Sequence, residues 1–249
     1  MQKSFANRNF PGLILILTSI MNAKDHWNKI YTTKQSHEVS WTQTIPQTSL
    51  DFLHSFRLSK DSPIIDIGGG ESLLADFLLT EGFTDITVLD ISEAALQRAK
   101  ERLGSRAGKI QWIVADVTEF KPTRQYRVWH DRATFHFLTT EAQISKYVSL
   151  ASSYVDSNGF MTIGTFSEQG PTKCSGLSIK QYSEQTLNLA VESALLTKNI
   201  LRNTPVNLQL MMSNKIIWVL QQMSRGWCSG NCCSENSFSS SAKFWRKVF

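Results

Sequence analysis

Pro63-Ile64-Ile65-Asp66-Ile67-Gly68-Gly69-Gly70-Glu71-Ser72 decides how this chain folds. A short apolar run reads as a buried strand. An acid stands near its end, and three glycines follow. Ser72 to Leu79 then reads as a helix. Glycines between a strand and a helix permit a tight turn and let a ligand approach the backbone. The free N–H groups of the helix start favour an anionic ligand group. A dinucleotide fingerprint, G-x-G-x-x-G, is met at Gly68 and Gly70 but fails at Leu73. Acid-x-Gly-x-Gly is the part of the pattern that survives.

Working outward, strand and helix patterns alternate. Ser49 to Phe56 reads as the end of a helix, with Phe52, Leu53 and Phe56 on one face. Ile86–Asp90 is the second strand. Ser92 to Leu103 is a helix capped by Ser92. Ile110–Ala115 and Tyr126–His130 are the third and fourth strands. Glu141 to Val155 is a helix, and Asn158-Gly159 turns the chain into a fifth strand, Phe160 to Phe166. This spacing predicts βαβ units and a doubly wound, mostly parallel α/β sheet. Asp66, Asp90 and Asp116 then end three successive strands. In open α/β sheets ligands bind outside those carboxyl ends, so the three acids mark a site. Asp90 suits ribose hydroxyls, and Asp116-Val117 suits an adenine amino group and face.

The length of 249 residues fits one domain of ordinary size. The net charge of +5 sits in the two ends. Lys3, Arg8 and Lys24 face no acid in residues 1–24, and five cations face Glu235 alone in residues 205–249. The middle of the chain has no basic excess to draw in a phosphate backbone, so no nucleic-acid partner is expected. Lys3 and Arg8 precede Leu13-Ile14-Leu15-Ile16-Leu17, a run too short to span a bilayer. Residues 1–20 are read as upstream of a start at Met21, in preference to a targeting peptide. Cys228, Cys232 and Cys233 lack metal-ligand spacing and a nearby histidine, so no metal site is expected. Four cysteines without a framework point to a reducing, cytoplasmic setting. The division is a 1–24 extension, a 25–204 domain, and a 205–249 segment rich in Ser and Cys, read as disordered, divergent or frameshifted.

Residues 26–208 resemble the class I S-adenosylmethionine-dependent methyltransferases. More narrowly, they resemble a bacterial group related to methyltransferase-like protein-lysine methyltransferases. The likeness rests on His26-Trp27-Asn28-Lys29-Ile30-Tyr31, Glu38-Val39-Ser40-Trp41, the glycine loop, Asp90 and Asp116. It continues in Trp129-His130-Asp131-Arg132-Ala133-Thr134-Phe135-His136-Phe137-Leu138 and Cys174-Ser175-Gly176-Leu177. The resemblance implies a Rossmann-like methyltransferase fold with S-adenosylmethionine as cofactor. It implies that Trp27, Tyr31 and Trp41 fold over the cofactor. Asp66 would meet the ammonium of its methionine moiety, and Gly68, Gly69, Gly70, Asp90, Ile91, Asp116, Val117 and Arg132 would line its site. His130 and Asp131 are site-lining candidates. A base is needed only if the acceptor arrives protonated, because methyl transfer mainly needs alignment. His136 is expected to be packed, and Cys174 to lie in a loop.

The family closes with two further strands. Val191 to Ile200 is expected to supply one and Asn207 to Gln222 the other, leaving the sheet incomplete if they fail. The acceptor is expected to be a small molecule or a protein side chain. Two rival readings are a non-catalytic nucleotide-binding module and an NAD-dependent oxidoreductase.

Overall fold

The computed structural model describes residues 23–197. The apolar run of residues 13–17, Met21, Asn207 to Gln222 and the Cys228 cluster lie outside the described residues. Residues 23–33 form helix α1, so residues 23 and 24 of the expected extension are already helical. Then come α2 (Gln47–Ser55), β1 (Ile64–Ile67), α3 (Leu74–Thr80), β2 (Ile86–Asp90) and α4 (Glu93–Leu103). They are followed by β3 (Ile110–Val114), β4 (Tyr126–Arg132), α5 (Glu141–Tyr154) and β5 (Val155–Gly164). A hairpin of β6 (Lys173–Cys174) and β7 (Leu177–Ser178) precedes α6 (Glu184–Thr197).

The sheet runs β3-β2-β1-β4-β5, with every neighbour parallel. Strand order reverses between β1 and β4, and that is where a parallel sheet opens a crevice. Alternation along the strands sends side chains to two cores. Ile64, Val88, Ile110 and Val128 pack under α2, α3 and α4 with Leu53, Leu78 and Leu96. Ile65, Ile67, Trp129 and Ile163 pack under α5 and α6 with Tyr147, Val148, Leu187 and Val191. Helices thus cover both faces, as a buried parallel sheet requires.

Ser92 caps α4 as expected, accepting the Ala95 amide at 3.2 Å. Three details differ from the sequence reading. Asn158-Gly159 does not precede the fifth strand. It lies inside β5, where the register shifts between the Tyr126–Val155 and Val128–Phe160 pairs. Residues 191–197, expected as a strand, are the end of α6. Leu187 and Val191 lie four residues apart and bury one stripe against α5, a helical spacing that outweighs the β-branched valine. Cys174 lies in a short strand whose turn holds Ser175 at φ 51° and Gly176 at φ 82°.

Asp131 anchors the second core. Its carboxylate accepts the Tyr147 hydroxyl at 2.7 Å and the Thr134 and Phe135 amides at 3.0 and 3.2 Å. Tyr147 Oη also accepts Trp129 Nε1 at 3.0 Å. Burial pushes Asp131 up to about 6, against the pull of these donors. Tyr147→Phe would strand two buried partners. It is expected to cost about 2 kcal/mol of stability, read from urea denaturation midpoints.

Candidate functional site

A cavity of about 220 Å³ opens at the carboxyl ends of β1 to β4, over the point where strand order reverses. Of the residues singled out from sequence, Asp66, Gly68, Gly69, Asp90, Ile91, Asp116 and Val117 line it. So do His130 and Arg132 from β4, and Trp27, Tyr31 and Trp41 from the N-terminal segment. Gly70 and Asp131 are not among the lining residues.

The glycine loop has a specific steric origin at two positions. Gly68 has φ +64°, and a Cβ there would stand 1.8 Å from Thr134 Oγ1. Gly69 presses its backbone against the first acid. A Cβ there would stand 2.6 Å from Asp66 Oδ2 and 2.7 Å from Val88 Cγ1. Thr134 reaches back to the loop and donates its hydroxyl to the Ile67 carbonyl at 3.2 Å. From outside, Arg102 on α4 donates to the Glu71 and Ser72 carbonyls at 2.8 and 2.9 Å. Arg98 pairs with Glu71 at 3.3 Å. Thr134, Arg98 and Arg102 were not singled out from sequence, because these are contacts across 27 to 67 residues of chain.

The three acids differ in what they have left to offer. Asp90 is 7% exposed, and its Oδ1 accepts the Ser92 amide at 2.7 Å. Burial raises its pKa from the usual 3.8 to about 7, with the nearby Asp66 adding to the rise and backbone donors opposing it. Asp116 commits Oδ1 to the amide and hydroxyl of Thr118, both at 2.7 Å. Asp66 is 4% exposed, and its Oδ1 meets His130 Nδ1 at 2.7 Å.

His130 and Asp131 do not act together. Strand alternation puts them on opposite faces of β4. His130 turns to Asp66 and Ser49, and Asp131 turns to Tyr147. Arg132, two residues on, returns to the cavity face and donates to the Trp41 carbonyl at 3.3 and 3.4 Å. Burial lowers its pKa to about 10, while Asp66 pulls the other way. His136 is fully buried among aromatic rings, and burial depresses its pKa to about 3, as fits a packed histidine.

The N-terminal segment closes the cavity. Trp27 packs edge-on against Trp41 and Phe137, with ring centroids 5.7 and 5.2 Å apart. Trp41 Nε1 donates to Tyr31 Oη at 3.2 Å. Tyr31 is 8% exposed, and burial, with Asp90 second, holds its hydroxyl protonated. Asn28 is the fastener that sequence reasoning passed over. Its Oδ1 accepts the Ser92 hydroxyl at 2.9 Å and the Ala94 amide at 3.3 Å, so α1 is pinned to the start of α4. Its place in the His26–Tyr31 stretch was the available signal. Asn28→Ala is expected to cost about 1 kcal/mol at this cap. The loss is read from urea denaturation midpoints.

A family model described as a methyltransferase domain matches residues 64–159. The eEF1A lysine and N-terminal methyltransferase of Mus musculus is 28% identical over 120 residues, 48% of this chain and 17% of that protein. The malonyl-[acyl-carrier protein] O-methyltransferase of Anoxybacillus flavithermus is 30% identical over 125 residues, 49% of this chain and 47% of that one. The chain therefore spans less than half the length of these curated relatives. Among solved structures, a 1,6-didemethyltoxoflavin-N1-methyltransferase from Burkholderia thailandensis is 17% identical, with TM-score 0.49 over 78% of this chain and 81% of that one. The matched residues hold β1 to β4, the glycine loop and all three strand-end acids. Residues 64–159 are a methyltransferase domain of the class I, S-adenosylmethionine-dependent type.

Proposed function

We propose that this chain transfers a methyl group from S-adenosylmethionine to a small molecule or a protein side chain. One observation carries the reading: Asp66, Asp90 and Asp116 converge with the glycine loop on a single cavity at the switch point of the sheet. This donor set fits the cofactor's chemistry. Asp90 would accept ribose hydroxyls. Asp116 and Val117 would hold the adenine, with Asp116 Oδ2 left over by Thr118. Asp66 would face the ammonium with the oxygen His130 leaves. Tyr31, Trp27 and Trp41 would cover the bound molecule and exclude water. When bound, S-adenosylmethionine supplies a methyl group already activated by its sulfonium. The protein's task is then alignment.

The named relatives act on eEF1A and on malonyl-[acyl-carrier protein], so both a protein and a carrier-bound small molecule are candidate acceptor types. Among the described residues, no helix is long and apolar enough to cross a membrane. The test is S-adenosylhomocysteine formation from labelled S-adenosylmethionine, with pools of small amines, alcohols and carboxylic acids and with whole protein extract. Label transfer to any pool supports the proposal. Cofactor binding without transfer to any of them would instead mark a non-catalytic nucleotide-binding module.

A further inference from the structure

Ser49, His130 and Asp66 come from α2, β4 and β1 and meet in one chain of hydrogen bonds. His130 Nδ1 lies 2.7 Å from Asp66 Oδ1, and His130 Nε2 lies 2.9 Å from Ser49 Oγ. Each residue is 4 to 5% exposed, and each lines the cavity. Asp66 and His130 are register partners on the two strands that flank the switch point. Burying an ionisable pair costs desolvation that apolar side chains of similar volume would avoid. A buried Asp–His–Ser chain opening on a ligand cavity is thus costly as packing and well formed as an acid–base device.

We propose that Ser49, His130 and Asp66 form a proton relay for the methyl acceptor, whose nucleophile is therefore a nitrogen or oxygen that still carries a proton. This rests on the methyltransferase reading above. Asp66 accepts Nδ1–H, which fixes the tautomer and leaves the lone pair of Nε2 facing Ser49. Ser49 donates its hydroxyl proton to Nε2, so its oxygen is open to a proton from the cavity. As the acceptor's N–H or O–H bond breaks, its proton passes to Ser49 Oγ while the Ser49 proton passes to Nε2. The freed electron pair forms the bond to the methyl carbon, and the carbon–sulfur bond breaks with its pair left on sulfur. The imidazolium is held beside the Asp66 carboxylate until it returns its proton to solvent. The other charged groups on β4 are Asp131, which turns to Tyr147 on the opposite face, and Arg132, which returns to the cavity face.

The test uses the full chain labelled with ¹⁵N-histidine. The His130 ring is identified among five histidines by its loss in His130→Gln and independently by its shift in Ser49→Ala. At about pH 8 the relay predicts Nδ1 protonated and Nε2 bare, with that preference lost in Asp66→Asn. A ring protonated at Nε2 overturns it, because Nε2 could then take no proton. In the acceptor assay, Ser49→Ala is expected to lose tenfold or more at about pH 7 and to recover at about pH 9, while Ser49→Thr retains the hydroxyl and most of the rate. An unchanged pH profile in Ser49→Ala, or transfer to a thioether acceptor alone, overturns it as well. The S-adenosylmethionine Kd on the same samples separates the two failures. Tight binding with the wrong tautomer sinks only the relay, and absent binding sinks the reading beneath it.

Discussion

Asp90→Ala is expected to weaken S-adenosylmethionine binding at least 100-fold while leaving the fold intact. The carboxylate stands at the end of β2, buried, with Oδ1 held by the Ser92 amide. Its proposed partners are two ribose hydroxyls. Hydrogen bonds to a charged group contribute about 1.5–3 kcal/mol each, so losing two costs about 3 kcal/mol or more, and 1.4 kcal/mol is tenfold. The raised pKa adds a second signature. Burial raises the Asp90 pKa to about 7. A ligand that needs the carboxylate must first expel its proton. Affinity should therefore fall about tenfold per unit below pH 7 and level off above it. The linkage to stability has the opposite sign. A carboxyl whose folded pKa is raised favours the folded state at low pH, and that contribution is lost as pH rises through about 7. Asp90→Asn should thus unfold at a higher temperature than the parent at about pH 8, yet bind cofactor poorly. Thermal melts and titrations across pH 5 to 9 read both effects. A pH-independent Kd would remove Asp90 from the binding role.

Gly68→Ala is expected to be the most damaging single methyl in the chain. Its Cβ would fall 1.8 Å from Thr134 Oγ1, well inside contact distance, at a φ of +64° that disfavours any side chain. The left-handed conformation costs about 1–2 kcal/mol for a non-glycine residue, and overpacking costs typically about 1–3 kcal/mol more. A loss of about 3 kcal/mol in denaturant titration is the expected result, together with loss of cofactor binding. Adding Thr134→Ser should relieve little of it, since the clashing atom is the hydroxyl oxygen that Ser keeps. Adding Thr134→Gly should relieve the clash and leave the φ cost. A Gly68→Ala protein as stable as the parent would show that the loop is not held as described.

What the sequence made legible was the frame. The alternation of apolar runs with Ser72–Leu79, Ser92–Leu103 and Glu141–Val155 was enough to place Asp66, Asp90 and Asp116 at three strand ends. What it hid were contacts made across the fold. Nothing local tells that Asn28 fastens α1 to Ser92, or that Thr134 fills the space Gly68 leaves. His130 and Asp131 stood alike in the sequence as site-lining candidates, being neighbours in one motif. The two-residue period of a strand already separates them, and His130 instead meets Asp66, its register partner 64 residues away. The strand expected at Val191 to Ile200 came from the closing strands that the family resemblance implied, not from the residues themselves. The i, i+4 spacing from Leu187 was the stronger signal, and packing against α5 decided it.

The most direct test is isothermal titration of S-adenosylmethionine into the full chain, with Asp90→Ala as the control. The account predicts micromolar binding at about pH 8, weakened at least 100-fold in the variant. A folded parent protein that releases no heat with S-adenosylmethionine or S-adenosylhomocysteine, or an Asp90→Ala protein that binds as tightly as the parent, would contradict it.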